Sequence, residues 1–186
     1  MAKFIKSASS IDGWILDAKK EICFLGRSNV GKSSLINALA NQTISKTSKT
    51  PGRTQLINFF DFNHYRLVDL PGYGYAKISK DKKEVINNFL FEYLSKRENL
   101  VGIFQICDAE IITSQDVEIA NFISKKFKHH YIILNKIDKL NKSYFDNNGN
   151  KISKLLNIDI LNLIPVSAKN KYNLNSLISI INKIVD

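Results

Sequence analysis

No apolar run in this sequence approaches the roughly 20 residues that a membrane-spanning helix requires, so stable membrane association is not expected. The opening stretch, MAKFIKSASSIDGW, lacks the long apolar centre and cleavage pattern of a secretory leader, and a cytoplasmic protein is expected. Cysteine is scarce. Cys23 and Cys107 are the two present, both in apolar strand-like runs, and are read as buried reduced thiols. The three histidines, His64, His129 and His130, show no metal-ligand spacing with them and are read as structural or surface residues. Acidic residues are also few: 17 against 27 basic ones, a formal net charge of +10. Such a balance favours an anionic partner, nucleic acid or a membrane surface, although a Lys-, Ile- and Asn-rich composition of genomic origin accounts for part of it.

The hydrophobic share of 44% and charged share of 24% suit a globular domain. Strand-like runs alternate with helical periodicity for most of the length. EICFLG reads as a strand, followed by a glycine loop and a helix from Lys32 to Asn41. Asn41 to Gln55 is a long polar loop rich in Ser, Thr and Lys, of the kind that carries function. LINFFDF and YRLVDL, separated by Asn63 and His64, look like an antiparallel pair. Helices are expected over Asp81–Glu98, Ser114–Lys128, Lys142–Ile158 and Leu174–Val185, with strands at LVGIFQICD, YIILNK and LNLIPVS. The pattern predicts an α/β domain of three layers: a six-stranded, mostly parallel sheet with helices on both faces. The first 19 residues read as an extension packed by Phe4, Ile5, Trp14 and Ile15, and residues 20–186 as one domain.

Gly26 to Ser33 spell G-x-x-x-x-G-K-S between that first strand and the helix. Glycines let a backbone turn with its N–H groups pointing inward, and the helix N-terminus adds partial positive charge to the same space. Lys32 can then meet terminal phosphates and the Ser33 hydroxyl can ligate Mg²⁺. NKID, Asn135 to Asp138, ends a predicted parallel strand, where ligands of open sheets bind. Asp138 can accept hydrogen bonds from the ring N–H and the exocyclic amine of guanine. Adenine presents its donor and acceptor the other way round. Charge-assisted bonds of roughly 1.5–3 kcal/mol each are enough to discriminate. Asp69 to Gly72, DLPG, closes the strand YRLVDL. Asp69 can hold Mg²⁺ through water, and the Gly72 N–H can touch a terminal phosphate. VSAK, Val166 to Lys169, can support the base through backbone N–H groups.

With these four motifs at successive strand ends, the chain resembles a Ras-like P-loop GTPase. GRSNVGKSSLIN, SKTPGRTQLINFF and DLPGYGYAK together resemble the EngB/YihA family of ribosome-biogenesis GTP-binding proteins, over about Lys20 to Val185. The resemblance implies a GTP/GDP site with Mg²⁺. Its phosphate loop is Gly26, Arg27, Ser28, Asn29, Val30, Gly31, Lys32, Ser33 and Ser34. Gly52, Arg53, Thr54, Gln55 and Leu56 line the nucleotide, with Thr54 on Mg²⁺ and the γ-phosphate. Asp69, Leu70, Pro71 and Gly72 form the second switch, Asn135, Lys136, Ile137 and Asp138 the guanine reader, and Val166, Ser167 and Ala168 the base support. The metal ligands would be Ser33, Thr54 and, through water, Asp69; the catalytic set would be Lys32, Thr54, Gly72 and Asn29. The partner implied is ribosomal RNA in a large ribosomal subunit precursor, with a linked role in cell division and septation, and a monomer is expected.

Ras-like enzymes place a water-positioning glutamine directly after D-x-x-G. Tyr73 stands there in this sequence, so slow intrinsic turnover is expected. A potassium ion held by Asn29, as in related GTPases with asparagine at that position, is one way to complete the site. Arg27 and Arg53 are weaker candidates for that charge and are read as solvated or RNA-facing. Lys46, Lys49, Arg53, Lys77, Lys80, Lys82 and Lys83, with Tyr73 and Tyr75, suit RNA phosphates and bases. Two other readings remain open from sequence: a binding module latched by GTP with incidental hydrolysis, and a P-loop kinase or ATPase, against which Asp138 argues.

Overall fold

The computed structural model describes residues 1–46, 56–73 and 80–186, with the side chains of residues 80–87 excepted. Among the described residues, seven strands form one sheet in the order β1-β3-β4-β2-β5-β6-β7. These are β1 Lys3–Ala8, β2 Glu21–Gly26, β3 Ile57–Asp61, β4 Arg66–Asp69, β5 Leu100–Asp108, β6 His130–Asn135 and β7 Leu163–Pro165. β2 lies parallel to both β4 and β5, and β6 lies parallel to β5 and β7. β3 runs antiparallel to β4 and to β1. The helices are α1 Lys32–Ala40, α2 Lys80–Lys96, α3 Ser114–Ser124, α4 Tyr144–Leu155 and α5 Leu174–Val185.

All six residues of β2 are buried, so side chains of both parities need cover. Ile22 and Phe24 join Leu35 and Ile36 of α1 and Leu177 and Ile181 of α5 on one face. Cys23 and Leu25 join Phe89, Tyr93 and Leu94 of α2 and Ile123 of α3 on the other. Cys107, Leu134, Ala120 of α3 and Ile152 of α4 extend that second face. Two apolar faces on one sheet dictate the three layers. Both cysteines are buried and unpaired, and burial raises each thiol's pKa well above its ordinary value.

The sheet has seven strands, not the six expected from sequence. The additional strand is β1, whose burial pattern runs from exposed to buried along its length with no inward–outward alternation. An edge strand paired on one side alone leaves little such signal. Phe4 and Ile5, expected to pack the N-terminal segment, are 47% and 39% exposed, and Phe4 meets the Phe60 ring edge-on at 5.6 Å. Trp14 is buried against Tyr93, with ring centroids 5.5 Å apart, and Ile15 packs beside it.

The N-terminal ends of β2 and β4 hold a buried ion network. Glu21, fully buried, accepts from Arg66 Nη1 at 2.6 Å, from Arg97 Nε at 2.7 Å and Nη2 at 2.6 Å, and from the Tyr93 hydroxyl at 2.7 Å. Asp17 caps it, accepting from Arg66 Nη2 at 2.5 Å, a bond that lowers its pKa. Arg97 also donates to the Ile15 carbonyl and lies over the Trp14 ring. This network fastens residues 14–21 beneath the sheet, at the pole opposite the C-terminal strand ends.

Candidate functional site

The parallel strands β2, β4, β5, β6 and β7 all point their C-terminal ends to one edge. Gly26, Asp69, Asp108, Asn135 and Val166 gather there. Gly26 ends β2, and a Cβ on it would collide with the Ile106 carbonyl oxygen. The chain then turns through Arg27 to Val30 and enters α1 at Gly31, whose φ of 93° is left-handed and whose missing Cβ leaves room for the Asn135 amide. Gly26 is therefore required by the approach of the Ile106 backbone, and Gly31 by its left-handed φ and the adjacent Asn135 side chain. Lys32, Ser33 and Ser34 form the first turn of α1 with their amides at its N-terminus. Lys32 is buried and its ammonium is bonded to Asp69, itself buried at the end of β4. Leu70, Pro71 and Gly72 follow, all buried. Leu56 is exposed just before β3, whereas Gly52, Arg53, Thr54 and Gln55 lie outside the described residues.

The loop after β6 ties the site together. Asn135 donates from Nδ2 to the Val30 carbonyl at 2.8 Å and accepts from the Ala168 amide at Oδ1, 3.1 Å away. Lys136 has a φ of 67°, which sends its side chain back across the phosphate loop. Its ammonium donates to the Asn29 carbonyl and to Asp108 Oδ2, each at 2.7 Å. Ile137 and Asp138 sit in a short 3₁₀ turn, Ile137–Lys139. The Ile137 amide donates to the Val166 carbonyl at 3.2 Å. The fully buried Ser167 donates its hydroxyl to Asp138 Oδ1 at 2.5 Å and accepts from the Asn170 amide at 3.1 Å. One oxygen of Asp138 is thereby fixed in direction. A carboxylate held this way can present its other oxygen to a pair of N–H donors.

Two readings from sequence are corrected. Arg27 is held by the protein and only 20% exposed: its Nε donates to both oxygens of the buried Asp116, at 3.1 and 2.9 Å, and its Nη2 to the Ile111 carbonyl at 2.9 Å. Tyr73 is not offered to RNA: it is buried, and its hydroxyl donates to Asp116 Oδ1 at 2.8 Å while accepting from Gln105 Nε2 at 2.9 Å. Burial, then the nearby Cys107 and Asp116, push the phenol's pKa far up, so it stays a donor. Tyr75, Lys49, Lys77 and Arg53 lie outside the described residues, as do the side chains of Lys80, Lys82 and Lys83; Lys46 is exposed. Asn29 is exposed, with a left-handed φ of 67°. Asp108, Gln105 and Asp116 were not anticipated. Asp116 had one legible signal, the T-x-x-D spacing from Thr113, which forms a reciprocal capping box on α3.

No helix among the described residues is long and apolar enough to cross a membrane. Nor do the described residues include a cluster of three or more His, Cys, Asp or Glu able to hold a metal ion. A magnesium ion on nucleotide phosphates needs just one or two protein oxygens, and the Ser33 hydroxyl and Asp69 carboxylate are hard donors of that type.

Residues 21–136 match the model of a family described as 50S ribosome-binding GTPase. A probable GTP-binding protein EngB of Malacoplasma penetrans is 56% identical over 185 residues, covering all of both chains. Its counterpart in Mycoplasmoides gallisepticum is 52% identical, over all of this chain and 98% of that one. Among solved structures, a probable GTP-binding protein EngB superposes with a TM-score of 0.75 at 25% identity, covering 89% of this chain and 98% of that one. Era in complex with MgGDPNP and nucleotides 1506–1542 of 16S ribosomal RNA superposes with a TM-score of 0.70 at 27% identity, over 89% of this chain and 56% of that one. A strand–glycine loop–helix arrangement at the C-terminal strand ends thus coincides with full-length similarity, and the chain belongs to the EngB family of P-loop GTPases, which bind guanine nucleotides and hydrolyse GTP.

Proposed function

We propose that this protein is a cytoplasmic, monomeric GTP-dependent switch that binds ribosomal RNA during assembly of the large ribosomal subunit. The observation that carries the reading is the convergence of four loops on one sheet edge, at Gly26–Ser34, Asp69–Gly72, Asn135–Asp138 and Val166–Ala168. In this reading the phosphate-loop amides cup the phosphates, and Lys32 leaves Asp69 for the terminal ones. Ser33, Thr54 and, through water, Asp69 would hold Mg²⁺, which would neutralise charge on the transferred group. Asp138 reads guanine, and the Ala168 amide, oriented by Asn135, supports the base. The RNA partner is supported by the net charge of +10 and by the RNA complex of Era. Any effect on septation follows here from ribosome supply.

Turnover on the free protein is slow in this reading. Tyr73 directs its hydroxyl to Asp116, and a phenol so engaged does not orient an attacking water. The γ-phosphate contacts of Thr54 and Gly72 exist with GTP alone, so the two switch segments differ between nucleotide states. The test is sedimentation of cell lysate with GDP, GTP or a non-hydrolysable GTP analogue. Co-migration with large-subunit precursors in the analogue and its loss with GDP is the expected result. Migration at the top of the gradient with every nucleotide would remove the ribosomal role.

A further inference from the structure

The buried Asp116 lies outside every nucleotide motif, yet its side chain and backbone meet four separate parts of the chain. Its carboxylate accepts from Arg27 of the phosphate loop, from the Tyr73 hydroxyl next to Gly72, and from the amide and hydroxyl of Thr113 at 2.9 Å each. Its carbonyl accepts from Gln105 Nε2 at 2.8 Å, the same nitrogen that meets Tyr73. The Tyr73 amide in turn donates to the Gly26 carbonyl at 3.3 Å, so Tyr73 is held through backbone and side chain together. Gly72 is therefore followed by a residue tied down at both backbone and side chain.

We infer that Asp116 and the Tyr73 hydroxyl are positioning groups that hold Gly72 ready for the terminal phosphate of GTP and couple that contact to the N-terminus of α3. A segment free to sample many conformations must be ordered before its amide can meet a phosphate, and that ordering opposes binding. The Tyr73–Asp116 bond does the ordering beforehand. GDP has no terminal phosphate to meet Gly72, so its affinity is indifferent to that bond. The phenol serves as a donor, in keeping with its raised pKa, and does not remove a proton from water. Asp116 reaches the nucleotide by a second route, since Arg27 fixes the start of the phosphate loop, which both nucleotides use. The inference rests on the proposed contact between Gly72 and the terminal phosphate.

The test compares wild type, Tyr73→Phe and Asp116→Asn. Affinities for GDP and for a non-hydrolysable GTP analogue are measured with hydrogen exchange over the peptide spanning Leu70–Tyr73. Tyr73→Phe keeps the ring and should weaken the analogue about fivefold, the size of one buried hydrogen bond, with GDP affinity unchanged. Asp116→Asn should weaken both nucleotides, the analogue more. Without nucleotide, Leu70–Tyr73 should exchange more slowly in wild type than in Tyr73→Phe, and saturating analogue should add protection in both. If wild type itself shows no analogue-specific protection, the Gly72 contact is wrong. If wild type shows it and Tyr73→Phe matches wild type in both nucleotide-free exchange and the affinity ratio, the contact stands and the positioning role is overturned. Equal weakening of both ligands in Tyr73→Phe also overturns it, as a general loss of stability.

Discussion

Asn135 donates to the Val30 carbonyl across 105 residues of sequence, at 2.8 Å, in a site where the asparagine is almost wholly buried. The same side chain accepts from the Ala168 amide, so it joins the phosphate loop to the loop after β7. Its two ends are satisfied by protein. In the proposed function Asn135 would therefore act on a purine through its neighbours. Replacing it with alanine leaves a carbonyl and an amide without partners, costing roughly 2–4 kcal/mol of stability. GDP and GTP affinities should fall together, by about tenfold, because the loop both share is loosened. Chemical denaturation and calorimetry check the two parts.

Asp138→Asn should behave differently. The Ser167 hydroxyl can still meet the amide oxygen, so the fold should lose less than about 1 kcal/mol. Guanine, however, then faces an NH₂ in place of a carboxylate oxygen. Preference should move from guanosine to xanthosine nucleotides, whose oxygen accepts from that NH₂. Competition between GDP and XDP on the purified variant reads this out. An unchanged preference would remove Asp138 from the base site.

These two residues also mark what the sequence discloses. Phosphate loop, DLPG, NKID and the alternation of strands with helices are local patterns, and each element they predicted is present among the described residues. Contacts between distant residues leave no local pattern. Arg27 and Asp116 are 89 residues apart, and Glu21 and Arg97 are 76 apart. A basic residue in a polar loop reads as solvated until a buried carboxylate is seen beneath it. β1 escaped for a different reason: its outward residues leave no period of two to detect, and pairing to β3 decides its state.

The Glu21 network predicts a stability effect without a change in binding. Glu21→Ala would leave Arg66 and Arg97, both buried, without their shared carboxylate and would strand the Tyr93 hydroxyl. Breaking a buried ion cluster by removing one partner costs about 3–5 kcal/mol. The network lies at the N-terminal strand ends, away from the nucleotide edge. Urea denaturation should register the loss, while GDP affinity of the folded fraction stays within about twofold of wild type.

Asn29 is exposed at the crown of the phosphate loop, and its carbonyl already accepts from Lys136. A potassium ion in the proposed site would thus have the asparagine side chain as its protein ligand, placing positive charge beside the transferred group. GTP hydrolysis should then run faster in KCl than in NaCl at equal ionic strength, and Asn29→Ala should abolish the difference. Equal rates in the two salts for wild type would exclude the ion.

His130 is expected to make stability fall in mild acid. It opens β6, is 3% exposed, and its Nδ1 lies 3.2 Å from Ser124 Oγ. Ser124 spends its own proton on the Ala120 carbonyl at 2.7 Å, so Nδ1 carries the hydrogen and Nε2 is left as a bare acceptor. Nε2 is buried with no partner among the described residues, and a proton added there would find no acceptor. Burial accordingly lowers the pKa from 6.5 to about 4. The unfolded chain takes up this proton first, so stability is full above about pH 6.5, falls as pH drops towards about 4, and levels off below that, a loss of about 3 kcal/mol. Asp17 and Asp61, whose pKa values are lowered by Arg66 and Lys19, lose their contributions below the ordinary carboxylate range, outside this window. Urea midpoints measured from pH 7.5 to pH 4 should therefore decline for wild type and stay nearly level for His130→Asn, which keeps a donor for Ser124 and cannot titrate. A parallel decline in the variant would assign the acid sensitivity to other groups.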